Sequence, residues 1–177
     1  MHAPAATMIN LAERETFTRL LEQHGGIIRK VAFGYASTFA DREDLSQEIT
    51  LQLWRAFPRY SPDRPFSTWM YRIALNVAIS FLRRHSRIVR QMVPFEECEI
   101  EVADEAAPKD ERAALLQQGI ASLAPFDRAL LLLYLDDHSY REIAAILGLT
   151  ETNVATKLNR LKQRVRDATL KLNRQNS

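Results

Sequence analysis

The sequence predicts an all-α protein of two small helical domains joined by a flexible acidic linker. Apolar residues recur at steps of three and four along most of the 177 residues, which is the spacing of one helix face. The 5 glycines and 7 prolines are too few for a turn-rich β fold, and a hydrophobic fraction of 46% is enough for packed cores. Charge is segregated along the chain, and an acidic stretch divides the two helical parts.

Four helices are predicted in the N-terminal part, which we expect to form a domain over residues 10–92. Their apolar stripes run through residues 11–21, 27–39, 45–57 and 66–82. Asn10, with Glu13 three residues later, predicts a capping box, and the pair Gly25-Gly26 predicts the break after the first helix. Asp41 is the expected cap of the third helix. Residues 58–65, which begin and end with proline, are expected to form a loop.

An acidic linker over residues 93–111 is expected to lead to a second domain over residues 112–174. Residues 61–95 carry six arginines and one acid, for a net charge of +5, whereas residues 96–111 carry eight acids and one lysine, for a net charge of −7. The linker has no helical apolar stripe and contains two prolines, so we expect it to be flexible.

The second domain is predicted to contain a helix-turn-helix. A helix around residues 112–122 and another opened by Pro125 come first. Ser139 and Glu142 have the spacing of a capping box, Gly148 is the expected left-handed stop, and Thr150 is in position to cap the last helix. The apolar stripe of that last helix consists of Val154, Leu158, Leu161 and Val165.

The opposite face of the last helix carries residue types that read DNA. At about 100° per residue, that face and one flank present Thr152, Thr156, Asn159, Arg160, Gln163, Lys157 and Arg164. Asn, Gln and Arg side chains bond base edges in the major groove, and flanking cations neutralise phosphates. The alternative is a merely solvated helix face. The capped helix and the glycine corner before it favour DNA binding.

The fourth predicted helix has an unusual polar side, in which an aromatic ring lies among cations. That side carries Trp69, Arg72, Ile73, Asn76, Ser80, Arg83 and Arg84. Unpaired bases stack on tryptophan, an amide bonds an exposed base edge, and arginines follow the phosphates. A half-buried tryptophan beside arginines that extend their charged ends to water explains the same pattern. The residues alone leave both interpretations open.

The third predicted helix has apolar residues on two sides. Leu45, Ile49 and Leu53 step by four toward the domain core. The far side carries Asp44, Gln47, Glu48, Leu51, Trp54 and Arg55. An apolar patch with a charged rim is typical of a protein-binding surface, and burial against a neighbouring helix is the alternative. We favour a partner site, because a bundle helix seldom needs two apolar faces.

Nothing in the sequence indicates an enzyme. The four histidines are scattered, Cys98 is the only cysteine and has no histidine nearby, and no glycine-rich phosphate loop is present. We therefore expect no catalysis, no metal and no cofactor. The N-terminus lacks a basic segment followed by an apolar run, and no stretch approaches the roughly 20 apolar residues that span a bilayer. We expect a cytoplasmic protein.

Three stretches in this order resemble the extracytoplasmic-function (ECF) sigma factors of the sigma-70 family. DREDLSQEITLQLWRAF, residues 41–57, looks like the family's core-polymerase helix. FSTWMYRIALNVAISFLRR, residues 66–84, is similar to its promoter-melting helix, and HSYREIAAILGLTETNVATKLNRLKQRVR, residues 138–166, to its helix-turn-helix. The resemblance implies a sigma factor that binds core RNA polymerase and directs promoter-specific initiation.

The resemblance also implies a task for each surface. The clamp helices of the largest polymerase subunit would contact Asp44, Gln47, Glu48, Leu51, Trp54 and Arg55. The minus 10 element, with a flipped base of its single strand, would contact Ser67, Thr68, Trp69, Arg72, Asn76, Ser80, Arg83 and Arg84. The duplex minus 35 element would contact Thr152, Asn153, Thr156, Lys157, Asn159 and Arg160. The linker would thread the polymerase cleft, and an anti-sigma factor is a further partner that the resemblance allows.

Two positions depart from the family pattern. Ser80 stands where relatives often carry an acid, and Ala155 where they often carry a base, so the promoter sequence does not carry over. A helix-turn-helix regulator that acts without polymerase is the alternative function. The sequence gives no sign of the ligand pocket that a sensing regulator would need.

Overall fold

The computed structural model describes residues 10–92, 119–120 and 122–175. Within these ranges the chain forms seven α-helices and one short 3-10 helix, with no strand, so the all-α prediction is confirmed. The chain divides into two compact units, Met1–Ala106 and Ala107–Ser177. The predicted linker lies outside the described residues, as does most of the helix expected around residues 112–122.

The N-terminal unit is a bundle of four α-helices. They are α1 (Leu11–His24), α2 (Gly26–Tyr35), α3 (Phe39–Ala56) and α4 (Phe66–Met92), and a 3-10 helix, Phe57–Arg59, follows α3. Helices α2, α3 and α4 pack against one another. Their core consists of fully buried side chains, among them Val31, Leu45, Ile49, Leu53, Met70, Tyr71 and Ala74.

The capping box of α1 is confirmed. The Asn10 Oδ1 atom accepts a hydrogen bond from the Glu13 backbone N at 2.8 Å, and the Glu13 carboxylate accepts one from the Asn10 backbone N at 2.9 Å. The helix ends at His24, directly before the glycine pair, as the sequence predicted.

The prediction that Asp41 caps α3 is wrong. The helix starts at Phe39, and Thr38 is its cap, because the Thr38 hydroxyl accepts a hydrogen bond from the Asp41 backbone N at 3.1 Å. Asp41 instead lies in the first turn, where its negative charge interacts favourably with the positive end of the helix dipole. Arg42 ties down the preceding loop, since its guanidinium donates to the carbonyls of Ala36 and Ser37 at 3.1 and 2.9 Å.

Helix α4 continues past the apolar stripe that predicted it and ends at Met92 rather than near residue 82. The arginine-rich stretch after Leu82 therefore stands on the same helix as Trp69. Because the helix is uninterrupted, these cations follow the tryptophan along a single helix axis, with a rise of about 1.5 Å per residue.

The C-terminal unit contains the predicted helix-turn-helix. Its helices are α5 (Pro125–Leu135), α6 (Tyr140–Leu147) and α7 (Glu151–Gln175). They enclose the buried side chains of Leu130, Leu133, Ile143, Ile146, Val154, Leu158 and Leu161. The side chain of Val165, the last member of the predicted stripe, lies outside the described part of the structure.

The helix caps and the glycine stop of the helix-turn-helix are those that the sequence predicted. The Ser139 hydroxyl accepts from the Glu142 backbone N at 3.3 Å, and Glu142 accepts from the Ser139 backbone N at 2.8 Å, which completes the capping box. Gly148 ends α6 with a φ of 68°, a left-handed conformation that suits glycine. The Thr150 hydroxyl then accepts from the Asn153 backbone N at 3.2 Å and caps α7.

Two structural features are absent from residues 10–92, 119–120 and 122–175. No helix there is both long and apolar enough to cross a membrane. No cluster of three or more histidine, cysteine, aspartate or glutamate side chains there is arranged to hold a metal ion.

Candidate functional site

The side of α3 that faces away from the core carries the six residues expected to contact a protein. Asp44, Gln47, Leu51 and Arg55 are exposed, and Glu48 and Trp54 are half-buried. Leu51 has 46% of its surface accessible although it is apolar, whereas Leu53, two residues later, is fully buried. The helix therefore exposes an apolar side chain on a side that the bundle core does not cover.

Trp54 stands at the end of this surface and rests on α1. Its ring meets the Phe17 ring edge to face, with centroids 5.1 Å apart. Phe17 is buried and also contacts Phe57 at 5.1 Å. The indole is thus packed against α1 on one side and is only half-buried, and the partner site on this surface stays a prediction.

The outer side of α4 carries the eight residues expected to contact the minus 10 element. Arg72, Asn76, Ser80, Arg83 and Arg84 are exposed, while Ser67, Thr68 and Trp69 are half-buried near the start of the helix. The Ser80 hydroxyl donates to the Asn76 carbonyl at 2.9 Å and is thereby engaged within its own helix. Asn76 itself is exposed to solvent.

Trp69 belongs to an aromatic cluster that we define as Phe57, Tyr60, Phe66 and Trp69. The centroid of the Trp69 ring lies 5.1 Å from that of Tyr60, 5.2 Å from that of Phe66 and 6.3 Å from that of Phe57. Helical periodicity relates only the residues of one helix, so it gives no sign of Tyr60, which lies in the preceding loop. The sequence feature that could have indicated Tyr60 is an aromatic residue in a short loop before an amphipathic helix.

An ion pair between Arg84 and Glu48 joins the outer surfaces of α3 and α4. The Arg84 guanidinium donates to both oxygens of the Glu48 carboxylate, at 2.9 and 2.6 Å. The side chain of Arg84 is 54% exposed and that of Glu48 is 30% exposed, so water reaches the pair. The sequence predicts these two residues on separate surfaces, and the fold brings them together.

The outer face of α7 carries the six residues expected to read duplex DNA. All of them are exposed, and they lie opposite the buried stripe of Val154, Leu158 and Leu161: Thr152, Asn153, Thr156, Lys157, Asn159 and Arg160. The Thr156 hydroxyl donates to the Thr152 carbonyl at 2.9 Å, which leaves the methyl group and the two acceptor lone pairs of Thr156 for an external contact.

A groove of about 520 Å³ runs along the flank of α7 beside the start of α5. Lys157, Arg160, Gln163 and Arg164 line it together with Asp127. Arg164 donates to the Asp127 carboxylate at 2.5 Å, and the Lys157 ammonium lies 5.5 Å from the centroid of the Phe126 ring. The flank is therefore basic, and one aspartate partly neutralises it.

A further cation, Lys162, lies on the other flank of α7. Its ammonium is 4.0 Å from the centroid of the Tyr134 ring on α5. A hydrogen bond with Tyr134 raises the pKa of Lys162 above its ordinary value. The contact with Tyr134 therefore holds one positive charge on this flank.

The fold and these surfaces define a helical protein with a DNA-binding helix-turn-helix in one unit and a basic, aromatic surface in the other. Two family models match the chain: Sigma-70 region 2 over residues 20–88, and Sigma-70, region 4 over residues 110–165. The chain belongs to the sigma-70 family of RNA polymerase sigma factors, and within it to the ECF group.

Individual relatives agree with the family models. The chain is 31% identical to the ECF RNA polymerase sigma factor SigE of Mycolicibacterium smegmatis, in a match that covers 88% of this chain and 62% of SigE. It is 27% identical to RNA polymerase sigma factor CnrH of Cupriavidus metallidurans, covering 86% and 85% of the two chains. With ECF RNA polymerase sigma factor SigW of Bacillus subtilis the identity is 25%, and the coverage is 89% and 91%.

Two solved structures share the fold. CnrH in complex with the cytosolic domain of CnrY matches with a TM-score of 0.63 at 22% identity, over 90% of each chain. The sigma factor RpoE in complex with the anti-sigma factor NepR from Bartonella quintana matches with a TM-score of 0.68 at 20% identity, over 86% of this chain and 96% of RpoE.

Proposed function

We propose that this chain binds core RNA polymerase and directs it to specific promoters, where it melts the minus 10 element and reads the minus 35 element. The single observation that carries the proposal is that Trp54 and Trp69 lie on accessible sides of two helices in a unit distinct from the helix-turn-helix. A regulator that needed only duplex DNA would have no use for these two surfaces. In this scheme catalysis belongs to the polymerase, and the chain acts in the cytoplasm with it.

The proposed division of the chain follows from the same assignment. Residues 10–92 form the region 2 domain, which contacts the polymerase and the minus 10 element. Residues 93–111 are the connection, and residues 112–174 form the region 4 domain. The two family matches, at 20–88 and 110–165, support this division.

The polymerase contact is proposed to centre on Leu51 and Trp54. An accessible leucine and an accessible indole provide the apolar centre of a protein interface, and aromatic residues are frequent among the residues that dominate binding energy. The rim is polar and mixed in charge: Asp44, Gln47, Glu48 and Arg55. Such a rim contributes more to orientation and association rate than to affinity.

The minus 10 contact is proposed to centre on Trp69 and Asn76. An indole with one accessible side offers a stacking platform for an unpaired base, and the Asn76 amide can bond the base edge. The remaining residues surround this pair or follow the strand: Ser67, Thr68, Arg72, Ser80, Arg83 and Arg84.

The minus 35 contact is proposed to use α7 in the major groove. Asn159 and Arg160 are the proposed base readers, with Thr152, Asn153 and Thr156 beside them. Lys157 is proposed to hold a phosphate and so to fix the register of the helix on the duplex.

An anti-sigma factor is proposed as a further partner. The solved RpoE relative is bound to one, and in this chain the α3 and α4 surfaces that such an inhibitor would cover are accessible. An inhibitor that covers both surfaces would block the polymerase and the promoter at once.

The test is a comparison of the full chain with and without core RNA polymerase. The chain should bind core polymerase in a pull-down, and together they should transcribe a subset of a promoter library. The Trp54→Ala variant should lose the pull-down and the transcripts while its helical circular dichroism stays unchanged. Duplex DNA binding that needs no polymerase, combined with no pull-down, would favour the independent regulator instead.

A further inference from the structure

We propose that Tyr60 is a positioning residue that holds the Trp69 indole in the orientation needed to stack on an unpaired base. This inference rests on the proposed function, since it concerns how the minus 10 surface is built. It extends that function to a residue outside the helix that carries the surface.

Tyr60 is the central ring of the aromatic cluster. Its ring centroid lies 5.1 Å from that of Trp69, 5.4 Å from that of Phe66 and 5.9 Å from that of Phe57. The Phe66 contact is edge to face, at an interplanar angle of 88°, and the Phe57 contact is stacked, at 18°. Tyr60 therefore has neighbours from the 3-10 helix that follows α3 and from α4, and it fills the space between them.

Tyr60 is itself fixed at both ends. Its backbone N donates to the Phe57 carbonyl at 2.9 Å, which closes the 3-10 turn. Its hydroxyl donates to the Arg64 carbonyl at 3.0 Å, across the loop that leads to α4. The loop therefore cannot move without breaking one of these bonds or displacing the ring.

A fixed neighbour matters because Trp69 is only half-buried. An indole with an accessible side has two side-chain torsions to restrict, and a binding partner would lose affinity by restricting them on association. The ring contacts of Tyr60 and Phe66 restrict them in advance, in the free protein. A base then meets a surface that is already in place.

The test uses the full chain, assembled with core RNA polymerase, and a fluorescein-labelled single-stranded DNA of random sequence as the probe. Tyr60→Leu should weaken binding of the probe about three- to tenfold, the range expected from aromatic contacts of this kind. Tyr60→Phe keeps the ring and should retain binding within about twofold of wild type. Phe33→Leu, at an exposed phenylalanine of α2 that packs under Arg42, is the matched control and should bind as wild type does.

Two further readouts separate positioning from folding. In 5-fluorotryptophan NMR of the chain, which has 2 tryptophans, Tyr60→Leu should shift or broaden the Trp69 resonance and leave that of Trp54 in place. In a Trp69→Leu background, Tyr60→Leu should cause no additional loss of probe binding, because its effect acts through Trp69. If Tyr60→Leu lowers the helical circular dichroism, Tyr60→Met, with a flexible apolar side chain, takes its place.

The outcomes distinguish this inference from the proposed function. Wild-type chain that binds neither core polymerase nor the probe would overturn the proposed function itself. Two results would overturn only the role of Tyr60, provided that the wild-type chain binds both core polymerase and the probe. In the first, Tyr60→Leu binds the probe as tightly as wild type does. In the second, Tyr60→Leu weakens probe binding as much in the Trp69→Leu background as it does alone.

Discussion

Arg84 of α4 and Glu48 of α3 form an ion pair in which the Nη2 atom of the guanidinium donates to both carboxylate oxygens, at 2.9 and 2.6 Å. The proposed function assigns Glu48 to the polymerase and Arg84 to the promoter strand. In the free chain each of these residues is the partner of the other. The pair is water-accessible, so it contributes on the order of 0.2–1 kcal/mol.

We predict that Glu48→Gln strengthens binding of single-stranded DNA by the free chain, since Arg84 loses its carboxylate partner. The affinity should rise about 1.5- to 5-fold, in keeping with the strength of an exposed ion pair. The logarithmic salt dependence should steepen by about 0.7, the value for one more phosphate contact on a single strand. Fluorescence anisotropy at several salt concentrations measures both quantities.

Glu43→Gln is the matched control for this prediction, because Glu43 is an exposed glutamate on the same helix and the change in net charge is identical. An equal rise in affinity in that control would mean that net charge, and not release of Arg84, is responsible. The double variant Glu48→Gln, Arg84→Ala should show no gain.

We predict that substitution of Leu51 weakens polymerase binding, whereas substitution of Leu53 lowers folding stability. Leu51→Ala removes an exposed apolar side chain and should weaken core polymerase binding about tenfold, with little change in thermal stability. Leu53→Ala creates a cavity in the core and should lower the free energy of unfolding by about 2–5 kcal/mol. Pull-down titration and thermal melting measure the two effects, and unchanged polymerase binding by Leu51→Ala would contradict the proposed interface.

We predict that Lys157 and Asn159 on α7 act differently on duplex DNA. Lys157→Ala should weaken binding of all sequences alike and reduce the logarithmic salt dependence by about 0.9, because it removes one phosphate contact. Asn159→Ala should cost about 1–3 kcal/mol at its preferred base pair and relax the preference at that position. Binding to a library of duplexes, sequenced after selection, measures both. A uniform loss for Asn159→Ala would remove it from the base readers.

We predict that the Ser139 cap stabilises α6 in a pH-dependent way. Ser139→Ala should lower the local stability of α6 by about 1 kcal/mol at neutral pH. Hydrogen bonds from the Ser139 side chain and backbone hold the pKa of the Glu142 carboxyl below its ordinary value of 4.5. A lowered carboxyl pKa stabilises the folded state above the ordinary value, and that contribution is lost as the pH falls through the lowered value.

The difference between wild type and Ser139→Ala should therefore shrink in acid, once Glu142 is protonated. Hydrogen exchange of the α6 amides in the full chain measures it at each pH. Ser37→Ala, at an exposed serine of the other unit, is the control. A difference that stays constant down to strongly acid pH would show that Glu142 takes no part in the cap.

Local chemistry made much of this protein predictable from its sequence. The capping boxes at Asn10 and Ser139 and the stop at Gly148 depend on residues within a few positions of one another, so the sequence alone indicates them. The apolar stripe of α7 likewise determines which side of that helix is exposed, because the helical repeat relates every residue on it. The outer face of α7 was predicted correctly for this reason.

The tertiary structure decided the relations between residues that are distant in sequence. Glu48 and Arg84 are 36 residues apart, and only the packing of α3 against α4 brings the carboxylate to the guanidinium. Tyr60 reaches Trp69 because the loop folds back over the start of α4, which no helical repeat predicts. Caps and stripes follow from the fixed geometry of a helix, whereas contacts between helices depend on how the whole core packs.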